Sequence, residues 1–122
     1  MDTNMKVLLQ QLEIVREIDP DLTATTLYVF AALVSRGGEM RQSDLREVTG
    51  LTHSALSRHL SLMDEWSWLK KPGLGWLETR PDLMDRRARI VKLTARGKAL
   101  ARRMNAKEAN EGNTKEGQSL PR

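Results

Sequence analysis

Gly50 separates two short helical segments, and this arrangement constrains the architecture of the chain more than any other sequence feature. Residues 42–48 predict a short helix that ends at Gly50, and Thr52 is suited to cap a second helix over about 53–65. Apolar residues of both segments can pack on each other, while the glycine allows the tight reversal between them. The pattern predicts a helix-turn-helix motif, although other helical hairpins share it.

The outward face of the second helix is polar and carries no acid between residues 52 and 62, whereas acids are frequent elsewhere in this half of the chain. Short hydrogen-bonding side chains and one arginine can approach base edges in a major groove closely. We therefore predict DNA contacts from both helices of the motif, made by Gln42, Ser43, Thr52, His53, Ser54, Ser57, Arg58 and Ser61.

The remaining elements predict a mainly α fold with a small antiparallel β-wing. Turn residues and a polar–apolar alternation after the motif indicate a small antiparallel ribbon, the wing, over about 68–93 with a loop at 80–86. We predict further helices over 4–18, over 24–36 with Thr23 as N-cap, and over 95–107 with Thr94 as N-cap. Glu39-Met40 reads as a short extended link. Residues 1–107 then form one domain, and the polar residues 108–122 form a disordered tail.

The first helix carries apolar residues on two sides, so it needs two surfaces to pack against, one of which can belong to a second chain. We predict a homodimer held by the first and last helices, with an interface that includes Leu8, Leu12, Val15, Leu100 and Met104.

Positive charge is concentrated in the second half of the chain. The formal net charge is +4, divided into −4 over residues 1–65 and +8 over residues 66–122, with eight basic residues and no acid between 86 and 103. Such a field attracts polyanions, nucleic acid above all. The alternative is a solvated basic face without a partner.

Several functional classes are excluded or disfavoured. The chain has no cysteine, which excludes disulfides, cysteine-ligated metal sites and thiol catalysis. His53 and His59 lie six residues apart, which is not the spacing of a metal pair on one helix face. No phosphate loop, catalytic triad or pair of carboxylates is present, so we expect no enzyme activity, metal or cofactor. No apolar run can span a membrane and residues 1–13 do not match a signal peptide, so we expect a cytoplasmic protein.

The ribbon carries a spaced signature behind the helix-turn-helix. It reads Asp85-Arg86-Arg87, five residues, Leu93-Thr94, two residues and Gly97. With this signature, residues 22–104 resemble the MarR family of bacterial transcriptional regulators. The resemblance implies a winged helix-turn-helix homodimer on a palindromic operator in double-stranded DNA, with recognition helices in major grooves and wings in minor grooves. It also implies a location at the bacterial nucleoid.

The resemblance assigns roles to the wing. Arg87 corresponds to the arginine that enters the minor groove, and Asp85 corresponds to the acid that orients it through an ion pair. We expect Arg80 and Arg86 to contact DNA as well, Arg86 at phosphate. Two departures are a long first wing segment at 70–75 and Arg41 at a helix start where serine or threonine is usual. A small-molecule effector is compatible with the family, but the short termini leave little room for one and no residue pattern supports it.

Two other functions fit the same elements. A winged-helix protein-interaction module acting on a polymerase or host factor would carry apolar residues on the outward face of helix 53–65. An architectural or RNA-binding protein would use the basic ribbon without reading sequence and would bind with a strong salt dependence.

Overall fold

The computed structural model describes residues 3–65 and 72–116, with side chains described as far as residue 105. The elements are α1 (Thr3–Ile18), α2 (Ala24–Ser35), β1 (Glu39–Arg41), α3 (Gln42–Thr49), α4 (His53–Met63), β2 (Leu77–Pro81), β3 (Arg89–Leu93) and α5 (Ala95–Glu116). The predicted mainly α fold with a small antiparallel sheet is confirmed. In the described part of the chain, no helix is long and apolar enough to cross a membrane. Residues 66–71, where the predicted wing begins, and residues 117–122 lie outside the described residues.

The chain divides into two compact units, residues 1–22 with 100–122 and residues 23–99. The first unit consists of α1 and the part of α5 from Leu100 onward. Its Arg103 guanidinium forms an ion pair with the Glu17 carboxylate, at 2.6 Å between Nη2 and Oε1. Among the predicted interface residues, Val15 and Leu100 are buried within the single chain, Met104 is half-buried, and Leu8 and Leu12 are exposed. The homodimer itself stays a prediction.

The second unit holds its own core beneath the helix-turn-helix motif. Buried aliphatic side chains come from each of its helices and from strands β2 and β3, among them Leu33, Leu45, Leu56 and Val91. The rings of Phe30 and Trp76 meet at 5.2 Å between centroids with planes inclined by 54°. This contact joins α2 to the residue that precedes β2, so the strand that leads into the wing begins inside the core.

The sheet has three antiparallel strands in the order β1-β3-β2. Met40 of β1 pairs with Val91, and Thr79 of β2 pairs with the same residue from the other side. Glu39-Met40, expected as a short extended link, is part of β1 and adds a third strand to the predicted antiparallel ribbon. The loop between β2 and β3 spans residues 82–88, two residues later than predicted.

Two helix ends differ from their predicted positions. Helix α4 ends at Met63 instead of residue 65, because Asp64 adopts an extended conformation and forms a parallel bridge with Leu77. Helix α5 continues to Glu116, past the predicted end at 107 and into the segment predicted as a disordered tail. That prediction rested on the scarcity of apolar residues and stays a prediction, although alanine, lysine and glutamate favour helix. A single domain bounded at residue 107 stays a prediction.

Candidate nucleic-acid interface

The helix-turn-helix motif is built by local interactions that the sequence predicts. Gly50 ends α3 in the left-handed conformation, with φ of +75°. The Thr52 hydroxyl accepts the backbone N–H of Ala55 at 3.2 Å, which confirms it as the N-cap of α4. The Gln42 side-chain amide donates to the Ser57 hydroxyl at 3.3 Å and so links the start of α3 to the middle of α4.

Three adjoining clefts surround the exposed side of α4, and His53 borders all of them. The first, of about 380 Å³, lies along α4 and is lined by His53, Ser54, Ser57, Arg58 and Ser61. The second, of about 310 Å³, extends from α4 to the sheet and is lined also by Gln42, Leu60, Asp64, Thr79 and Arg89. The third, of about 400 Å³, joins the starts of α3 and α4 to the wing.

The third cleft is strongly basic. Four arginines line it together with a single acid, and the complete lining is Arg41, Gln42, Ser43, Arg46, His53, Asp85, Arg87, Ala88 and Arg89. A concave surface with this charge and with hydroxyl, amide and imidazole donors is suited to bind phosphate oxygens. The predicted residues of the motif, except Thr52, and the wing arginine therefore line these three adjoining clefts.

The wing arginine and its acidic partner are arranged as predicted, but the ion pair is long. Arg87 Nε lies 3.8 Å from Asp85 Oδ1, and the Arg87 side chain is 95% exposed. The same carboxylate oxygen accepts the Arg87 backbone N–H at 3.1 Å. Asp85 thus holds the loop backbone in addition to the guanidinium. Arg80 and Arg86 are also exposed in this part of the chain, but they line none of the three clefts.

A second acid, Asp82, holds the wing loop, although it was not among the residues predicted from the sequence. Its Oδ2 atom pairs with Arg41 Nη2 at 3.0 Å, and its Oδ1 atom accepts the Met84 backbone N–H at 2.9 Å. The unexpected arginine at the N-cap position of α3 therefore ties that helix to the wing loop. The only signal in the sequence was the departure at Arg41, because a partner 41 residues away cannot be recognised from local spacing.

Arg46 and Arg89 also line the third cleft, although neither was among the DNA-contacting residues predicted from the sequence. Arg46 lies on α3, where only the first two residues were considered. Arg89 donates to the Thr79 hydroxyl at 3.4 Å across the strands, and Thr79 donates to Asp64 at 3.4 Å. These two hydrogen bonds connect the base of the wing to the end of α4.

His59 lies on the inner side of α4 and has a structural partner. Its Nδ1 atom and the buried Thr26 hydroxyl are 2.8 Å apart. Burial lowers the pKa of His59 below its ordinary value of 6.5, and the nearby positive charge of Arg58 lowers it further. The neutral ring therefore connects α2 to α4. Within the described residues, histidines and acids form no group that could hold a metal ion.

A family model and several solved structures are similar to this chain. The family model that matches residues 21–88 describes the MarR family. No curated protein matches the chain. Among solved structures, RV1404 from Mycobacterium tuberculosis is similar with a TM-score of 0.72 at 18% identity, covering 97% of this chain and 75% of that one.

Two further structures share the fold. A mutant MarR from E. coli complexed with operator DNA is similar with a TM-score of 0.60 at 22% identity, covering 90% of this chain and 74% of the other. The PcaV transcriptional regulator from Streptomyces coelicolor gives 0.58 at 20% identity, covering 91% and 76%. At these identities the likeness shows a common fold.

Proposed function

Because this chain belongs to the MarR family, whose members are transcriptional regulators, we propose that it is a sequence-specific, double-stranded-DNA-binding homodimer that acts as a repressor. The observation that carries the proposal is the continuous surface formed by the acid-free face of α4 and the arginine-lined cleft at the wing. Its charge fits a phosphate backbone, and its short polar side chains fit base edges.

In this proposal α4 is the recognition helix in the major groove. Ser54 and Arg58 are exposed along its cleft, with Ser57 and Ser61 half-buried beside them. Arginine reads guanine through two hydrogen bonds, and serine accommodates either base edge. A protein-binding face would instead require apolar side chains at these positions. His53, together with Gln42 and Ser43 of α3, is suited to position the helix through phosphate contacts.

The wing supplies the minor-groove contact in this proposal. A guanidinium is favoured in a narrow, electronegative A·T-rich groove, and Arg87 is almost fully exposed where it can enter one. Its backbone is held by Asp85, which limits the conformational entropy lost on binding. We assign phosphate contacts to Arg80 and Arg86.

Dimerisation would use the exposed apolar face of α1. Met5, Leu8, Leu9 and Leu12 recur at spacings of three and four residues, and all are more than one-third exposed. A two-fold dimer through such a face presents two recognition helices, which matches a palindromic operator. A dimer that covers a promoter excludes polymerase, which is why we propose repression. The protein would then act in the cytoplasm at the nucleoid.

Selection of bound fragments from a random duplex library tests the proposal. A palindromic consensus is the expected result, whereas recovery of unenriched sequence would contradict it. Arg58→Ala should cost about 1–3 kcal/mol on the selected duplex and relax the preference at one position of each half-site. Arg36→Ala is the matched control, because Arg36 is an exposed arginine that lines none of the three clefts. Equal losses by Arg58→Ala on selected and scrambled duplexes would show a phosphate contact instead of base reading.

A further inference from the structure

The tip of the wing exposes two large apolar side chains next to each other. Leu83 is 97% exposed and Met84 is 90% exposed, the highest values among the large hydrophobic residues of the described chain. Single exposed apolar residues are common on protein surfaces and need no explanation. An adjacent pair in one loop is different, because the two side chains together expose a larger apolar surface than a single residue does.

The loop holds these side chains outward through a closed set of backbone hydrogen bonds. Asp82 N–H donates to the Ala88 carbonyl at 2.9 Å, and Ala88 N–H donates to the Asp85 carbonyl at 2.9 Å. Asp85 N–H donates to the Asp82 carbonyl at 3.2 Å, and the Asp82 carboxylate accepts the Met84 N–H. The ion pair with Arg41 anchors this acid from outside the loop. The loop backbone is therefore held in a conformation that exposes Leu83 and Met84.

The surroundings of the tip are basic. Four arginines lie between residues 80 and 89, at positions 80, 86, 87 and 89. The two acids of the same stretch, Asp82 and Asp85, are both engaged in ion pairs. An apolar tip within a basic collar fits a partner that is anionic outside and apolar within. Duplex DNA meets this description, because its phosphates lie along the rims of the grooves, whereas deoxyribose and the stacked bases lie further inside.

The position of the tip favours DNA over an anionic lipid surface, which has the same general chemistry. Arg87 and Arg89 belong to the wing and also line the cleft that continues to α3 and α4. A partner held by this cleft therefore lies beside the wing, where the tip can reach it. The inference rests on the proposed function, because it assigns the tip a role in the same DNA complex.

We infer that Leu83 and Met84 form an apolar wedge that enters the minor groove beside Arg87, packs on deoxyribose and partly unstacks one base step. Proteins that insert leucine or methionine between base steps bend the duplex toward the major groove. The contacted step should be a flexible pyrimidine–purine step, since unstacking costs least there. The wedge would add a sequence preference at a position that α4 does not touch.

The test compares a double variant, Leu83→Ser with Met84→Ser, with a matched exchange, Leu83→Met with Met84→Leu. Both variants keep the charge of the wing, and the exposure of both positions predicts unchanged thermal unfolding for each. On the duplex selected by the wild-type protein, we expect the serine variant to bind about tenfold more weakly, from the burial of roughly one apolar side chain. The exchange variant should bind like the wild type.

Two further readouts identify the wedge. The DNA bend, measured by energy transfer between labelled duplex ends, should decrease for the serine variant, and 2-aminopurine at the contacted step should lose its fluorescence increase. The salt dependence of binding should stay unchanged because no phosphate contact is removed.

Each result supports or overturns the inference. Unchanged affinity and bend for the serine variant, with normal wild-type binding, would overturn the wedge and leave the proposed function intact. Normal DNA binding by the serine variant would also overturn the wedge if that variant lost another interaction. Loss of self-association would identify a second copy as the occupant of the tip, and loss of binding to anionic vesicles would identify a membrane. Failure of the wild-type protein to select any duplex would overturn both proposals.

Discussion

Replacing Asp82 tests how the wing is held to the helix-turn-helix motif. Its side chain is 11% exposed and uses both oxygens, one for the Met84 backbone N–H and one for Arg41. A hydrogen bond to a charged acceptor contributes about 1.5–3 kcal/mol. The ion pair contributes only about 0.5–1 kcal/mol, because the Arg41 side chain is 47% exposed and water screens the charges. Asp82→Ala should therefore lower the free energy of unfolding by about 2–4 kcal/mol.

Asp82→Asn removes the charge but keeps an acceptor. The amide oxygen still accepts the Met84 N–H as a neutral group, so the expected loss is about 1.5–2.5 kcal/mol, from the ion pair and the charge-assisted part of the hydrogen bond. Urea unfolding at one fixed protein concentration measures both variants. A double-mutant cycle of Asp82→Asn with Arg41→Gln should return a coupling energy of about 0.5–1 kcal/mol, that of the ion pair alone.

DNA binding gives an independent test, because the two effects of Asp82→Ala on affinity have opposite signs. Removing an acid near the proposed DNA surface should strengthen binding by Coulomb attraction, whereas loss of the wing orientation should weaken it. We expect Asp82→Ala to bind the selected duplex more weakly in fluorescence anisotropy, although its charge is more favourable. Tighter binding, or a stability loss of Asp82→Ala no larger than that of Asp82→Asn, would refute the assignment of Asp82 as the residue that positions the wing.

Three other predictions concern packing, pH and assembly. Gly97→Ala should destabilise the protein by about 1–3 kcal/mol in urea unfolding, although alanine usually stabilises a helix relative to glycine, since the added Cβ would overlap the Trp76 carbonyl oxygen. A stabilised variant would contradict this packing. Because the pKa of His59 is lower in the folded than in the unfolded chain, the unfolded chain takes up the proton first as pH falls. The contribution of His59 to the free energy of unfolding should therefore be fully present above about pH 6.5 and should decrease below it. His59→Gln should flatten that dependence, and an unchanged slope would refute its origin in this residue. Leu12→Asp should convert a dimer into a monomer in light scattering, because the contact would bury a carboxylate; a wild-type mass near 13.9 kDa would rule out the dimer.

The sequence by itself determined the features that depend on neighbouring residues. Thr23, Thr52 and Thr94 each accept a backbone N–H two or three residues into the helix that follows, as predicted, and Gly50 reverses the chain. Caps and turns involve only a few consecutive residues, so residue type and spacing are sufficient to recognise them. The acid-free face of α4 was visible for the same reason, because helical periodicity alone assigns residues to a face.

Only the tertiary structure decided how the wing is attached. Glu39–Arg41 became a strand because β3 offered its free edge, and Arg41 then met Asp82. Three residues have no strand signal of their own, and the stability of a strand depends on the partner to which it pairs. The end of α4 at Met63 has the same origin, since Asp64 leaves the helix to bridge with Leu77. Contacts between residues far apart in sequence form only when the whole core packs, so they cannot be predicted from local sequence patterns.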